Sequence, residues 1–144
     1  MNIYEELRAD HDIQRTLIDL LVKTEGDSEG REELFAKVKT ALDSHAMAEE
    51  RHFYVPLIES DLVQEKARHS IAEHKELDDL VEALETTDRS SPAWLVTART
   101  LKDRLLHHLA EEEHEVFQLS GKVLTETQKQ RLASAYRREM NDAG

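Results

Sequence analysis

The sequence predicts an all-α fold: an antiparallel up-down-up-down four-helix bundle with a short C-terminal fifth helix. The 144 residues include only four Gly and two Pro, and good helix formers are abundant. Apolar residues recur every three or four positions along four long segments, as they do on the buried face of a helix. Short loops separate these segments, and short loops favour antiparallel neighbours.

The first two predicted helices form a hairpin. The first helix ends before the loop EGDSEG, in which Gly26 and Gly30 are expected to break the helix. The regular pattern of the second helix is interrupted at Pro56, because proline lacks the N–H that an interior helix position needs. Several inward positions on these two helices are polar: His11, Gln14, His45, Glu49 and His52.

The third and fourth predicted helices form a second hairpin. The third begins near the cap signal of Ser60 and Asp61 and ends in TTDRSS. The fourth has Ser91 at a position suited to an N-cap and Pro92 at the first helical position. The inward positions of the third and fourth helices again include polar residues: Ser70, His74, His108 and Glu112.

A fifth helix is expected after Gly121, where Thr125 and Gln128 have the spacing of a capping box. The chain is therefore expected to form a single domain over residues 1–144. The bundle would occupy about 3–120 and the C-terminal helix about 125–140.

Composition and charge exclude several classes of function. The formal net charge of −12 opposes nucleic-acid binding, which needs clustered Lys and Arg, and also opposes an anionic membrane surface. Because there is no cysteine, disulfides, thiolate catalysis and iron–sulfur clusters are excluded. The segment MNIYEELRADHD has no signal-peptide pattern, and no apolar run reaches membrane-spanning length, so a cytoplasmic location is expected.

The sequence contains an internal repeat. The motif HAMAEE at residues 45–50 returns as HLAEEE at residues 108–113, 63 residues later. Core positions obey the same shift, so that Ile18 corresponds to Val81. The shift also relates three pairs of inward polar residues: His11 and His74, His45 and His108, Glu49 and Glu112.

The spacing of these residues predicts one buried polar layer. At about 1.5 Å per residue, His11 and His45 both lie about 25 Å from the turn of their hairpin. His74 and His108 lie at nearly the same distance from the turn of the second hairpin. Residues at i and i+4 share a helix face, so each glutamate joins its histidine. Four imidazoles and two carboxylates would be very costly to bury without cations or hydrogen-bond donors. The pattern therefore predicts a metal site.

The types of ligand narrow the choice of metal. Imidazole nitrogen together with carboxylate oxygen suits iron, manganese or zinc. Because two carboxylates can each bridge two ions, the set favours two metals over one, and iron if the site performs redox or oxygen chemistry. A bis-histidine haem is opposed by the two inward glutamates.

The doubled pattern of His11 with HAMAEE and His74 with HLAEEE resembles the hemerythrin-like HHE cation-binding domains over roughly residues 3–120. The resemblance implies a non-haem di-iron centre whose two iron ions are joined by an oxo or hydroxo bridge and two carboxylates; zinc and manganese remain alternatives. The histidines would be terminal ligands and the glutamates bridging ligands. The implied metal ligands are His11, His45, Glu49, His74, His108 and Glu112.

The sequence also departs from the oxygen-carrying hemerythrins. Those proteins have five histidines, including a His-x-x-x-His pair on the third helix. Here Ser70 and Asp78 stand four residues either side of His74, and His69 lies about 140° around the helix. The second acid follows its histidine by four residues instead of five and is not an aspartate. A five-histidine site is therefore not reproduced.

Other residues have weaker claims on the site. His52 lies about two turns beyond His45, which suits the mouth of the bundle better than ligation. Asp78 could ligate a metal ion if the inward stripe of its helix is wide. The periodic pattern does not predict the direction of the Tyr54 side chain, because Pro56 interrupts it nearby. His107 competes with His108, but the repeat and the apolar stripe select His108. His114 and the run EEEHE are expected to form a solvated face.

The main functional hypothesis is a non-haem di-iron protein that binds or senses dioxygen, peroxide or nitric oxide. The sequence shows no nucleophile–base pair and no phosphate-binding glycine loop, which opposes hydrolase and kinase activities. One alternative is a peroxide-consuming di-iron enzyme, and another is a storage or structural metal-binding bundle. The fold alone does not choose among them.

Overall fold

The structure, a computed structural model, describes residues 1–143 as helices joined by short loops. The predicted domain limit at residue 144 lies outside the described residues. Two of the long helices each continue through a π-helical turn into a short α-helix. In chain order the elements are α1 (Ile3–Leu21), α2 (Glu29–Glu49), π-turn (Glu50–Tyr54), α3 (Val55–Ile58), α4 (Gln64–Thr86), α5 (Pro92–Glu111), π-turn (Glu112–Val116), α6 (Phe117–Gly121) and α7 (Glu126–Ala143).

The helices form the predicted antiparallel bundle. Helix α1 packs against α2 and α4 packs against α5 as two hairpins, and α1 also contacts α5 while α2 contacts α4. The hydrophobic core is divided into two clusters. One, containing Leu21 and Trp94, fills the end at which the α1–α2 and α4–α5 loops lie. The other, containing Phe53 and Phe117, fills the opposite end. The predicted fold class is confirmed.

Both π-turns begin within the repeated His-x-x-x-Glu-Glu motif, the first at Glu50 and the second at Glu112. Each adds a residue to a helical turn and so changes which residues face inward beyond Glu49 and Glu112. Along α5 and α6 the buried face moves to Val116 and Phe117, and the predicted inward residue Leu119 is only half-buried. The predicted interruption at Pro56 was misplaced, because the irregular turn begins at Glu50 and the helix continues through Pro56 to Ile58.

Some helix ends lie where the sequence predicts them, and others do not. Gly26 adopts a φ of 55° in the first loop, a conformation that favours glycine. Gly30 is not a breaker, because Ser28 caps α2 and places Gly30 inside its first turn. Likewise, α4 starts at Gln64 and not at the predicted Ser60–Asp61 signal.

The predicted starts of the last two long helices are confirmed. Ser91 occupies the N-cap position of α5, with Pro92 as its first residue, but its hydroxyl donates to the Asp88 carbonyl oxygen at 2.7 Å and does not cap the helix. In the capping box before α7, the Gln128 backbone donates to Thr125 Oγ1 at 3.1 Å and the Thr125 backbone donates to Gln128 Oε1 at 2.7 Å.

Helix α7 is an integral part of the bundle. It lies against α1, α2 and the first π-turn, and it contributes Ala133 and Tyr136 to the core cluster at that end. Arg137 ties it to α1 through Glu6, whose carboxylate accepts a hydrogen bond at 2.6 Å. Over residues 1–143, none of the helices combines the length and the apolar character that crossing a bilayer requires.

Candidate metal centre

The six predicted metal-site residues lie together in one layer between the two apolar clusters. Helices α1, α2, α4 and α5 each contribute one histidine, Glu49 is the last residue of α2, and Glu112 is the first residue of the second π-turn. All six are buried, with exposed fractions between 0% and 8%. This arrangement follows from the repeat. In each hairpin, the histidine of the first helix lies level with the histidine–glutamate pair of the second helix.

The six residues form two groups that could each hold a metal ion. The first group is His11, His45, Glu49 and Glu112. His11 Nε2 lies 3.2 Å from Glu112 Oε1 and 3.9 Å from Glu49 Oε2, and His45 Nε2 lies 3.4 Å from the same Glu49 oxygen. Donor atoms about 2.1 Å from a tetrahedral ion stand about 3.4 Å apart, so these separations suit one ion.

The second group shares both glutamates with the first and contains the other two histidines. His74 Nε2 lies 3.0 Å from Glu49 Oε1, and His108 Nε2 lies 3.6 Å from Glu112 Oε2. Each carboxylate therefore places one oxygen in each group. This is the arrangement that a bridging carboxylate requires.

The hydrogen bonding of the layer fits a metal ion. Among residues 1–143, the buried side-chain atoms without a hydrogen-bond partner include Nε2 of all four histidines, both Glu49 oxygens and Glu112 Oε1. Buried polar atoms are almost always paired, and leaving one unpaired costs about 1–3 kcal/mol. These imidazole nitrogens and carboxylate oxygens are good ligands for a divalent cation, and they all lie in this one layer.

The opposite ring nitrogen of each histidine is held by a partner outside the layer. His11 Nδ1 contacts Glu113 at 2.7 Å, and His74 Nδ1 contacts Glu50 at 3.1 Å. Each of these glutamates directly follows the inward glutamate of its own motif and crosses to the other hairpin. A carboxylate on Nδ1 fixes the tautomer that leaves Nε2 free to ligate.

The remaining two histidines have different partners. His108 Nδ1 contacts Glu73 on α4 at 2.9 Å. His45 Nδ1 contacts the hydroxyl of Tyr136 on α7 at 2.5 Å. Together, the four contacts orient every imidazole in the layer.

The electrostatics of the layer show an excess of buried negative charge. Burial, and then the neighbouring Glu49, raise the pKa of Glu112 above its ordinary value. Burial acts to lower the pKa of His11, but the carboxylates of Glu112, Glu113 and Glu49 outweigh it and raise that pKa well above the ordinary value. Without a metal ion, a proton on His11 takes the place of a cation.

Tyr54 is an additional buried residue at the site. It is fully buried, and its hydroxyl donates a hydrogen bond to Glu112 Oε2. Its ring lies 5.8 Å from that of His74, on the side of the second group. Burial, followed by the charges of Glu112 and Glu49, raises the pKa of Tyr54 well above 10, so the phenol keeps its proton.

A cavity of about 540 Å³ leads to the layer from the side, between α2 and α4. Three of the four histidines, His45, His74 and His108, line it. The exposed acids Asp43 and Asp78 also line it and lie at its rim. A water molecule occupies about 30 Å³ in the liquid, so the cavity has room for small ligands.

The structure places the weaker candidates outside both groups. Asp78 is exposed at the cavity rim, and His52 pairs with Glu139 of α7 at 3.0 Å. His107 is exposed, whereas its neighbour His108 faces the layer. The expectation of a fully solvated EEEHE run was wrong at Glu113, which accepts hydrogen bonds from His11 and Arg15.

Sequence reasoning missed the residues that hold the outer ring nitrogens. For two of them a signal was present, since Glu50 and Glu113 are the second acid of the repeated His-x-x-x-Glu-Glu motif. Glu73 precedes His74 directly, which alone carries no signal. Tyr136 lies beyond the repeat, and the sequence gives no sign that its helix returns to α1 and α2.

The chain belongs to the hemerythrin family: residues 2–120 match the model of the hemerythrin HHE cation-binding domain. This confirms the resemblance inferred from the repeated motif. Membership of a cation-binding family and two buried His/Glu groups together support metal-ion binding. Helix α7 lies outside the matched residues.

Two individual proteins are similar over almost the whole chain. A crystal structure of a hemerythrin HHE cation-binding domain-containing protein from Mycobacterium kansasii superposes with a TM-score of 0.88, covering 99% of this chain and 87% of that one at 24% identity. A DNA nickase from Nostoc sp. is 26% identical over 137 residues, which are 95% of this chain. The aligned region spans only 38% of the nickase.

Proposed function

We propose that the chain is a non-haem di-iron protein that binds dioxygen, peroxide or nitric oxide. The observation that carries the proposal is the pairing of the two His/Glu groups through Glu49 and Glu112, each of which offers one oxygen to each group. In this proposal His11 and His45 hold one ion and His74 and His108 hold the other. An iron pair supplies one-electron redox chemistry and coordination of small ligands.

The protein's own residues would prepare this centre in two ways. Glu113, Glu50 and Glu73 accept from Nδ1 of their histidines and keep Nε2 available. Partners of this kind typically change metal affinity or activity by about 10- to 100-fold. The apolar clusters on either side of the layer close it along the bundle axis, and the cavity between α2 and α4 gives access from the side.

Access for a small ligand favours this function over a purely structural metal site. The cavity between α2 and α4 reaches His45, His74 and His108, so a ligand has a path to the layer. A site that only stabilises the bundle needs no such path.

A second candidate, a peroxide-consuming di-iron enzyme, is favoured by Tyr54. Its buried hydroxyl keeps its proton and donates to Glu112, so it provides a hydrogen-bond donor inside the layer. A hydrogen-bond donor there would assist the reduction of one peroxide to two waters, whose two electrons and two protons a second peroxide would supply as it is oxidised to dioxygen.

Nicking of DNA is not proposed for this chain. The Nostoc protein named as a nickase is matched over only 38% of its length. A net charge of −12 also repels phosphate, which nucleic-acid enzymes must approach closely.

The test is anaerobic loading with iron(II), followed by separate additions of air, nitric oxide and hydrogen peroxide. Reversible spectral changes with air or nitric oxide support a binder, and catalytic loss of peroxide supports the enzyme. If the loaded iron pair gives no spectral change with any of the three, the proposed function is wrong and a storage or structural role takes its place.

A further inference from the structure

Tyr136 links the C-terminal helix to the candidate metal centre. It is fully buried on α7, beyond the residues that match the family. Its hydroxyl contacts His45 Nδ1 at 2.5 Å and Asp10 Oδ2 at 2.5 Å. The phenol therefore lies between a histidine of α2 and an acid of α1.

The direction of these two hydrogen bonds is fixed by the chemistry of Asp10. A carboxylate oxygen accepts, so the Tyr136 hydroxyl donates its proton to Asp10. The neighbouring Arg137 donates to the same Asp10 oxygen at 3.2 Å and holds the carboxylate in place. The phenol oxygen is then left to accept from Nδ1–H of His45, and the Nε2 lone pair faces the layer.

The internal repeat shows what Tyr136 replaces. The 63-residue shift that relates His45 to His108 also relates Asp10 to Glu73. In the second half, Glu73 reaches His108 Nδ1 directly at 2.9 Å. Aspartate is shorter by one methylene, and in the first half the Tyr136 hydroxyl spans the gap between Asp10 and His45.

We propose that Tyr136 is a positioning residue of the metal centre, which relays the Asp10 carboxylate to His45 and thereby makes α7 part of the site. This inference rests on the proposed function, because it assumes that His45 is a metal ligand. It concerns the ion held by His11 and His45. The other ion, held by His74 and His108, has only direct carboxylate partners.

The expected effect is confined to one of two ions. Loss of the hydroxyl leaves His45 Nδ1–H without its acceptor, so the ring is free to rotate or change tautomer. Loss of such a partner typically lowers metal affinity by about 10- to 100-fold. Tyr136→Phe should therefore release one ion about 10- to 100-fold faster, while the second leaves at the wild-type rate.

The experiment is chelator-driven release of cobalt(II) from the full chain, followed by the visible absorption of the bound metal. The control is Tyr4→Phe, which removes a hydroxyl bonded to Ser120 at 2.7 Å beside the same core cluster without touching a histidine. Asp10→Glu in the Tyr136→Phe background should slow the release again, because it restores the longer acid found in the second half.

A second measurement separates this inference from the proposed function. In metal-free protein, nitrogen-15 NMR should show His45 as the Nδ1–H tautomer in wild type and in Tyr4→Phe, and a mixture of tautomers in Tyr136→Phe. If wild type takes up no metal pair on iron(II) loading, the proposed function fails, while this comparison in metal-free protein still tests Tyr136. The inference would be overturned if Tyr136→Phe released both ions at the wild-type rate and kept the Nδ1–H tautomer of His45. It would also be overturned if Tyr4→Phe accelerated the release of metal as much as Tyr136→Phe does.

Discussion

Replacing both inward glutamates by leucine should separate the stability of the bundle from the stability that metal adds. Glu49 and Glu112 are fully buried, and three of their four oxygens have no hydrogen-bond partner within residues 1–143. A buried unpaired polar atom costs about 1–3 kcal/mol, whereas leucine extends the neighbouring apolar clusters. We therefore expect Glu49→Leu/Glu112→Leu to be at least as stable as wild type when both are free of metal.

The expected effect of metal on wild type can be calculated. For 144 residues, an unfolding entropy of about 2.1 cal/mol/K per residue gives about 0.3 kcal/mol/K. One ion at a hundredfold excess over its Kd stabilises the native state by about 2.7 kcal/mol. Each ion should therefore raise the Tm by about 9 °C, and two ions by about 18 °C.

Thermal melts of chelated and metal-loaded protein measure this difference. Wild type and the exposed control Glu65→Leu/Glu76→Leu should show the full increase, and Glu49→Leu/Glu112→Leu should show none. The reasoning would be refuted by equal Tm values for chelated and loaded wild type with metal demonstrably bound. It would also be refuted by a full increase in the Glu49→Leu/Glu112→Leu variant.

Three further predictions concern single residues. Burial acts to lower the pKa of His74, but its carboxylate neighbours, Glu49 first, raise it to about 10. This contribution to stability is complete below the unfolded-state pKa of about 6.5 and is lost as the pH rises towards 10. The Tm of chelated wild type should therefore fall across that range more steeply than that of His74→Gln. Arg31 is 2% exposed and donates to two loop carbonyl oxygens, so Arg31→Ala should lower the free energy of unfolding by about 3 kcal/mol in denaturant titrations, with metal content unchanged. Tyr54→Phe removes the donor to Glu112, and the loaded protein should keep two ions but change its absorption spectrum; an unchanged spectrum would show that the phenol does not influence the centre.

Much of the bundle and the six-residue layer could be predicted because they depend on periodicity within single helices. The shift between His45 and His108, and the four-residue step from each histidine to its glutamate, place all six residues at one depth without any knowledge of packing. The structure brings them together, and their role as ligands remains a prediction.

The rest depends on features that a regular periodicity cannot reveal. The π-turns that begin at Glu50 and Glu112 break the 3.6-residue pattern, so the inward position was assigned to Leu119 when Phe117 occupies it. Glu113 lies in a charged run that is typical of a solvent-exposed helix face, yet its side chain contacts His11 on α1. Such contacts between distant segments are properties of the folded chain.

The most direct test of the paired site is the number of iron ions per chain after anaerobic loading and desalting. Wild type should retain two, and the exposed neighbour variant His107→Ala should also retain two. His108→Ala should retain fewer, and Glu112→Ala fewer still, because Glu112 serves both groups. One iron per chain in wild type, or two in Glu112→Ala, would contradict a metal pair bridged within this layer.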